Sequence, residues 1–150
     1  MKTVKTAVLC MLLIVCCFNS FAQQPSERTT AKPLLFNDMP EQMRIRITDL
    51  TGLLDLSVGT SVNTFLAQNF HFQGTVVSVS PPEENVKTVV IKSTNRKGAS
   101  LIFTKTKKND GSIKYLGRII SLKNDDAFEI VKEGDQYLFQ KKKLYDLINE

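Results

Sequence analysis

The 150 residues include only three cysteines, one histidine and no tryptophan. All three cysteines, Cys10, Cys16 and Cys17, lie within the first 22 residues. If that stretch is removed on export, the mature chain can form no disulfide, no thiolate metal site and no cysteine nucleophile. Its stability must then come from a hydrophobic core, and a chain of 150 minus 22 residues is long enough to bury one.

The first 22 residues have the three parts of a secretory signal peptide. Lys2 and Lys5 form a basic start, residues 7–18 are almost wholly apolar, and residues 20–22 (Ser-Phe-Ala) give a small-x-small cleavage pattern. The apolar run is too short for a permanent membrane span, which needs roughly 20 residues. We therefore predict a signal peptide over residues 1–22 and an exported protein, periplasmic or secreted. The end of the leader, "FAQQ", resembles those of Gram-negative bacterial exported proteins.

Two alternatives for the leader stay open. It could remain uncleaved as a short membrane anchor, or it could be lipidated, because residues 13–16 (Leu-Ile-Val-Cys) loosely resemble a bacterial lipobox. Val15 is larger than the small residue that motif requires before its cysteine. After the leader we predict a flexible polar arm over residues 23–37 and a single β-rich domain over residues 38–150, with no transmembrane segment in the mature chain.

From residue 58 onward the chain alternates short apolar stretches with turn residues, which is typical of β-structure. Asn109-Asp110-Gly111 is a strong hairpin signal. The connections are too short for the crossovers of a parallel sheet. We predict a mainly β fold: a six- to seven-strand antiparallel meander, curled into a small barrel-like sheet because apolar residues occur on both strand faces. The predicted strands cover residues 61–67, 70–79, 86–93, 100–107, 112–122, 127–132 and 136–141, and a short C-terminal helix covers 144–148.

Residues 39–56 fit two structures. Asp38, Pro40 and Glu41 suit a helix start, and an apolar face at 43, 47, 50 and 54 has helical spacing. Residues 43–47 also alternate as in a strand. We predict a helix, which would plug or flank one end of the sheet. Two glycines within strands, Gly74 and Gly117, predict sheet curvature, with a groove floor as the alternative, and the phase slip at residues 76–77 predicts a bulge.

Catalytic chemistry is poorly represented in the predicted domain. His71 is its only histidine and alternates with two phenylalanines in a strand, and the adjacent acidic pairs at 83–84 and 125–126 fall in turns. A histidine-based triad needs partners that the sequence does not indicate, and a glycosidase needs two carboxylates that face each other. We therefore predict a non-enzymatic protein without a cofactor or metal site.

Basic side chains are the strongest surface signal. Without Lys2 and Lys5, the 20 basic residues fall to 18 against 15 acidic ones, a net charge of +3. Strand ends that meet at one rim would gather them into a binding site for an unknown protein or an anionic envelope polymer. The surface of the sheet is the other candidate binding surface. Without tryptophan or a stacking platform, no nucleic acid is expected. The alternatives are an assembly component that docks by strand-edge addition and, third, a carboxylate-dependent hydrolase. The predicted basic rim consists of Arg96, Lys97, Lys107, Lys108, Lys141 and Lys142.

Overall fold

The structure is a computed structural model that describes residues 33–81 and 85–148. The predicted signal peptide and most of the predicted polar arm lie outside these residues. The described part forms one antiparallel sheet of eight strands, curled into a half-barrel, with a small helix near its N-terminus and a short helix at its C-terminus. The predicted fold class is therefore confirmed.

The strands follow one another across the sheet as consecutive hairpins, except that the first pairs with the last. The order is β1-β8-β7-β6-β5-β4-β3-β2, so β1 and β2 are the two edges. All seven predicted strands are present, and β1 is an eighth that the sequence pattern did not predict. The strands are β1 (Gln42–Ile45), β2 (Ser61–Ala67), β3 (Phe70–Val79), β4 (Val86–Ser93), β5 (Ala99–Lys107), β6 (Ile113–Ser121), β7 (Asp126–Glu133) and β8 (Gln136–Lys143).

The predicted helix over residues 39–56 is wrong in its first half. Residues 42–45 are strand β1, because Met43 and Ile45 point inward opposite Phe139 and Tyr137 of β8. Helix α1 covers only Ile47–Thr51 and continues as a 3₁₀ turn, Gly52–Asp55. Tertiary pairing with β8 therefore overrides the helical spacing of this segment. The helical part still buries two leucines in the core, Leu50 and Leu53.

The core lies on the concave inner face of the sheet, where alternate strand residues converge. Its centre is Phe70, whose ring lies within 6.4 Å (centroid to centroid) of the rings of Phe36, Phe72, Phe128 and Phe139. Phe36 belongs to the predicted polar arm, yet it is fully buried. The packed domain therefore begins before residue 38.

Curvature is built into β3 as the sequence predicted. The register with β4 shifts between Val76 and Ser78, which is the predicted bulge. At Gly74 the neighbouring strand approaches so closely that a Cβ would lie 2.6 Å from the carbonyl oxygen of Lys92. Gly74 therefore permits a close backbone approach that any larger residue would prevent.

Helix α2 (Leu144–Ile148) follows β8 directly. Its residue Leu147 is buried, and so are Ala127 and Leu138, which by strand alternation belong to the outer face. These three residues are buried outside the main core cluster. Of the helices in the described residues, none combines the length and apolar character needed to cross a bilayer.

Candidate functional site

The half-barrel has two ends, defined by the turns that meet there. The turns at residues 68–69, 94–98 and 122–125 share one end, together with the last residues of β8. We call it the clamp end. The end of β3, the start of β4 and the turns at 108–112 and 134–135 share the other, which we call the tyrosine end. The predicted basic rim is split between them: Arg96, Lys97, Lys141 and Lys142 lie at the clamp end, and Lys107 and Lys108 at the tyrosine end.

At the clamp end, Arg96 is occupied by the segment that precedes β1. Its guanidinium donates to both carboxylate oxygens of Asp38, at 3.0 and 2.9 Å, and to the carbonyl oxygen of Leu35 at 2.9 Å. It also lies over the rings of Phe36 and Phe70, 5.7 and 5.8 Å from their centroids. The hydrogen bond from Arg96 holds the pKa of Asp38 below its ordinary value of 3.8.

Three further side chains hold the same segment by its backbone. Asp126, which is buried, accepts the backbone N–H of Phe36 at 2.6 Å. Asn124 donates to the carbonyl oxygen of Pro33 at 2.6 Å, and Lys141 donates to that of Met39 at 2.7 Å while pairing with Glu41 at 3.3 Å. Arg96 and Lys141 therefore both hold the segment that precedes β1.

The other two residues of the predicted basic rim at this end are Lys97 and Lys142. Lys97 is exposed in the β4–β5 turn, and Lys142 is half-buried on the outer face opposite Ala127. Neither lies within 4.0 Å of a carboxylate belonging to residues 33–81 or 85–148. They are suitable for comparison with the lysines of the tyrosine end.

At the tyrosine end, the sheet opens between β6 and β7. The two strands pair only from Arg118–Glu129 to Ser121–Asp126, although β6 begins at Ile113 and β7 ends at Glu133. Along an antiparallel strand, the backbone hydrogen bonds of successive residues point alternately to one neighbouring strand and to the other. The backbone N–H and C=O groups of Tyr115 and Lys132 therefore point across this opening, where the two strands do not pair. The opening therefore presents backbone N–H and C=O groups besides side chains.

A glycine lies where the two strands separate. A Cβ at Gly117 would overlap Cδ1 of Ile130 and lie 3.2 Å from Cδ2 of Phe103. The side chain of Ile130 therefore occupies the space above Gly117, which explains why this mid-strand position lacks a side chain. The second interpretation of Gly117, as the floor of a groove, is compatible with this arrangement, since the opening begins here.

The opening forms a cleft of about 430 Å³ that we call the tyrosine–lysine cleft. The Tyr115 ring stacks on Phe103 at 5.9 Å and meets the Tyr137 ring edge-on at 6.0 Å, so both tyrosines are held in place. The Nζ of Lys132 lies 5.9 Å from the centroid of Tyr137. The cleft is lined by Lys108, Ser112, Ile113, Lys114, Tyr115, Leu116, Glu129, Ile130, Val131, Lys132 and Tyr137.

The charges around the tyrosine–lysine cleft are mainly positive. Its one lining carboxylate, Glu129, is paired with Arg118 at 2.9 Å. Lys108, Lys114 and Lys132 have no carboxylate within 4.0 Å in the part of the chain that the structure describes. The nearby turn contains Asp110, whose pKa is lowered by its hydrogen bonds with Ser112.

Two more lysines extend this positive charge beyond the cleft. Lys105 is half-buried and Lys107 exposed, and both fall on the inward positions of β5, in register with Tyr115 and Ile113 of β6. The only Lys–acid pair at this end among the described residues joins Lys87 to Asp55 at 3.1 Å. The ammonium groups of these lysines can therefore attract an anionic group to this end of the sheet.

Comparisons add no relative to this geometry. No protein-family model, curated protein or solved structure matches the chain.

His71 points outward, opposite Phe70 and Phe72 as predicted, and its Nε2 lies 2.5 Å from Oδ1 of Asn63. No cluster of three or more His, Cys, Asp or Glu side chains within residues 33–81 and 85–148 has the arrangement of a metal site.

Sequence reasoning missed the clamp residues Asp126 and Asn124 because their partners are 90 and 91 positions away. The apolar run Leu34-Leu35-Phe36 inside the polar arm was the one available signal for a buried segment. The convergence of Tyr115 and Tyr137 depends on where β6 and β7 stop pairing, which periodicity does not indicate.

Proposed function

We propose that this protein is an exported, non-enzymatic binding domain that holds an anionic group of a protein or cell-envelope polymer in the tyrosine–lysine cleft. The observation that carries the proposal is that Lys108, Lys114 and Lys132 line one cleft with Tyr115 and Tyr137, and that no described carboxylate lies within 4.0 Å of these three lysines. Export rests on the predicted signal peptide. The non-enzymatic part rests on a sequence with one histidine and no cysteine beyond Cys17.

The cleft offers three kinds of contact to a ligand. The ammonium groups of its lysines attract carboxylate or phosphate. Tyr115 and Tyr137 offer hydroxyl groups and ring faces that can pack on a sugar ring or a planar group. Ile113 and Leu116, each 47% exposed, offer apolar contact beside them. These contacts favour a ligand with an anionic group next to an apolar or cyclic one.

Opposite ends of the sheet allow a matched test. The doubly substituted protein Lys108→Glu/Lys132→Glu changes net charge as much as Lys97→Glu/Lys142→Glu does. Binding is measured by titration calorimetry with two probes, poly-L-glutamate for carboxylates and polyphosphate for phosphates. We expect the tyrosine-end pair to weaken binding of the preferred probe at least about tenfold more than the clamp-end pair, as for the loss of charged hydrogen bonds.

Two outcomes would contradict the proposal. Equal losses from both pairs would mean that overall charge, and not the cleft, attracts the probes. No binding of either probe by the unsubstituted protein at low salt, where such attraction is strongest, would remove the anionic ligand altogether. A preference between the two probes identifies the anionic group.

A further inference from the structure

The edge strand β2 is unusual among the strands of this sheet. Ser61–Ala67 is seven residues long and contains no charged residue and no proline. Natural sheets normally protect such an edge with lysine, proline, a bulge or a very short strand. The register of β2 with β3 shifts only between Phe65 and Ala67, so the regular part of the edge, Ser61–Phe65, has none of these protections. The opposite edge, β1, follows that rule, since it has only four residues and includes Arg44.

The register of β2 shows which backbone groups face outward from the sheet. Val62 and Thr64 are opposite Gly74 and Phe72 of β3, and the bond from the Val76 N–H to the carbonyl oxygen of Thr60 sets the alternation. The even-numbered residues therefore bond to β3. Ser61, Asn63 and Phe65 direct their N–H and C=O groups toward the open edge.

Side chains next to this edge give the surface a chemical character. Phe65 is 60% exposed and lies 4.9 Å from the ring of His71, both on the outer face. On the inner face, Val62 and Leu66 are buried members of the core. A strand added here would extend both faces and would need uncharged, β-branched or apolar residues along its length.

Charged side chains near the end of this edge indicate whether a second copy of the chain or a different partner would bind there. A cavity of about 310 Å³ lies between the two edges, lined by residues that include Arg44, Arg46, Asp49 and Phe65. Arg46 is paired with Asp49 at 3.0 Å, whereas Arg44 lacks a carboxylate within 4.0 Å among residues 33–81 and 85–148. A second copy would bring the same arginines and another uncharged β2. A partner segment with an acidic residue would satisfy Arg44.

We propose that β2 accepts an extended segment of a partner protein by strand addition, with uncharged alternating residues along Ser61–Phe65 and an acidic residue at Arg44. Main-chain bonds to Ser61, Asn63 and Phe65 supply affinity, and contacts with Phe65 and Arg44 supply selectivity. This surface is a separate site from the tyrosine–lysine cleft, so each proposal can fail without the other.

The test uses two synthetic peptides of alternating valine and threonine, one with glutamate at its first position and one at its last. Amide hydrogen exchange is measured by NMR on the unsubstituted protein with and without each peptide. We expect one peptide to slow exchange at Ser61, Asn63 and Phe65, while Val62 and Thr64, already bonded to β3, change little. This measurement requires no substitution and therefore does not depend on a variant that folds.

A matched pair of variants isolates the main-chain bond. Asn63→Ala and Asn63→Pro both remove the amide side chain, but only proline removes the N–H, and proline is tolerated on edge strands. We expect Asn63→Pro to bind the peptide at least about tenfold more weakly than Asn63→Ala, as for the loss of a backbone bond and its neighbour.

Three results would overturn the proposal. The first is the absence of slower exchange at the three edge amides with either peptide. The second is equal affinity of the two Asn63 variants. The third is a concentration-dependent dimer, seen by sedimentation without peptide, that protects the same three amides, because this would assign the edge to a second copy.

Discussion

The two ends of the half-barrel place basic side chains in different surroundings. At the clamp end, Arg96 and Lys141 are bonded to backbone and carboxylate oxygens of residues 35–41. At the tyrosine end, Lys108 and Lys132 line the cleft with no described carboxylate within 4.0 Å, and Nζ of Lys132 lies 5.9 Å from the centroid of the Tyr137 ring. A cluster of cations in a sequence therefore does not identify a binding site until the partners already present in the fold are known.

The largest expected effect breaks the clamp end. Phe36 is fully buried among phenylalanine rings, so Phe36→Ala should lower the free energy of unfolding by about 3–5 kcal/mol. The matched control is Leu34→Ala, since Leu34 is 48% exposed in the same segment and should cost far less. Urea unfolding of both variants measures the difference. Similar losses for the two variants would show that the segment does not anchor through Phe36.

An intermediate effect concerns the contact between Gly117 and Ile130, at the point where the cleft begins. Gly117→Ala should destabilise by about 1–3 kcal/mol because its Cβ overlaps the end of the Ile130 side chain. Ile130→Val removes that Cδ1 atom, so the double variant should recover part of the loss, which a double-mutant cycle measures. Gly74→Ala serves as the contrast, since its Cβ meets the backbone of Lys92 and no side-chain truncation can relieve it. If the stability losses of Gly117→Ala and Ile130→Val simply added in the double variant, overlap with Ile130 would not be the cause of the loss at Gly117.

A smaller effect depends on pH and tests the ion pair of the clamp end. The pKa of Asp38 is lowered by its hydrogen bond with Arg96, so the folded protein binds that proton more weakly than the unfolded chain does. The stabilisation is therefore present above the ordinary pKa of 3.8 and is lost as pH falls through the lower folded value.

Asp38→Asn should consequently be less stable than the unsubstituted protein at pH 7, by less than about 1 kcal/mol because this carboxylate is largely exposed. The gap should close below pH 4. Thermal melting across pH 3–7 measures it, with Asp55→Asn at the tyrosine end for comparison. A gap that persists unchanged at pH 3 would rule out the ion pair as its cause.

The smallest expected effect concerns the contribution of the tyrosine-end lysines to stability. Lys108→Ala/Lys132→Ala removes two lysines that make no described ion pair, so stability should stay within about 0.5 kcal/mol of the original. Chemical unfolding provides the measurement. A loss of several kcal/mol would mean that these lysines support the fold, as Arg96 does, and are not reserved for a ligand.

Local pattern was sufficient to predict most of the sheet. Seven strands and the bulge near Gly74 followed from alternation and turn residues, which act over a few positions. Strand β1 did not, since its four residues also match helical spacing and are decided by pairing with β8, almost a hundred positions later. Predictions from periodicity fail where a short segment has a distant partner.

The candidate site was predictable only in part. Lys107 and Lys108 were predicted to lie at a rim, but the split of the basic rim between two ends follows from the alternating direction of the hairpins. The ion pair between Arg96 and Asp38 joins residues that are 58 positions apart in the sequence. No local feature of residues 93–98 indicates it.

The pairing of the first strand with the last has a consequence for how the chain acquires its structure. Asp126 and Lys141 bind residues that were synthesised 90 and 102 positions earlier, so the N-terminal segment has nowhere to dock until nearly the whole chain is available. Such non-local closure makes folding slow compared with a helical bundle of the same size. In a growing chain, residues 33–45 would therefore stay undocked until β8 is available, whereas the consecutive hairpins from β2 to β7 can form earlier.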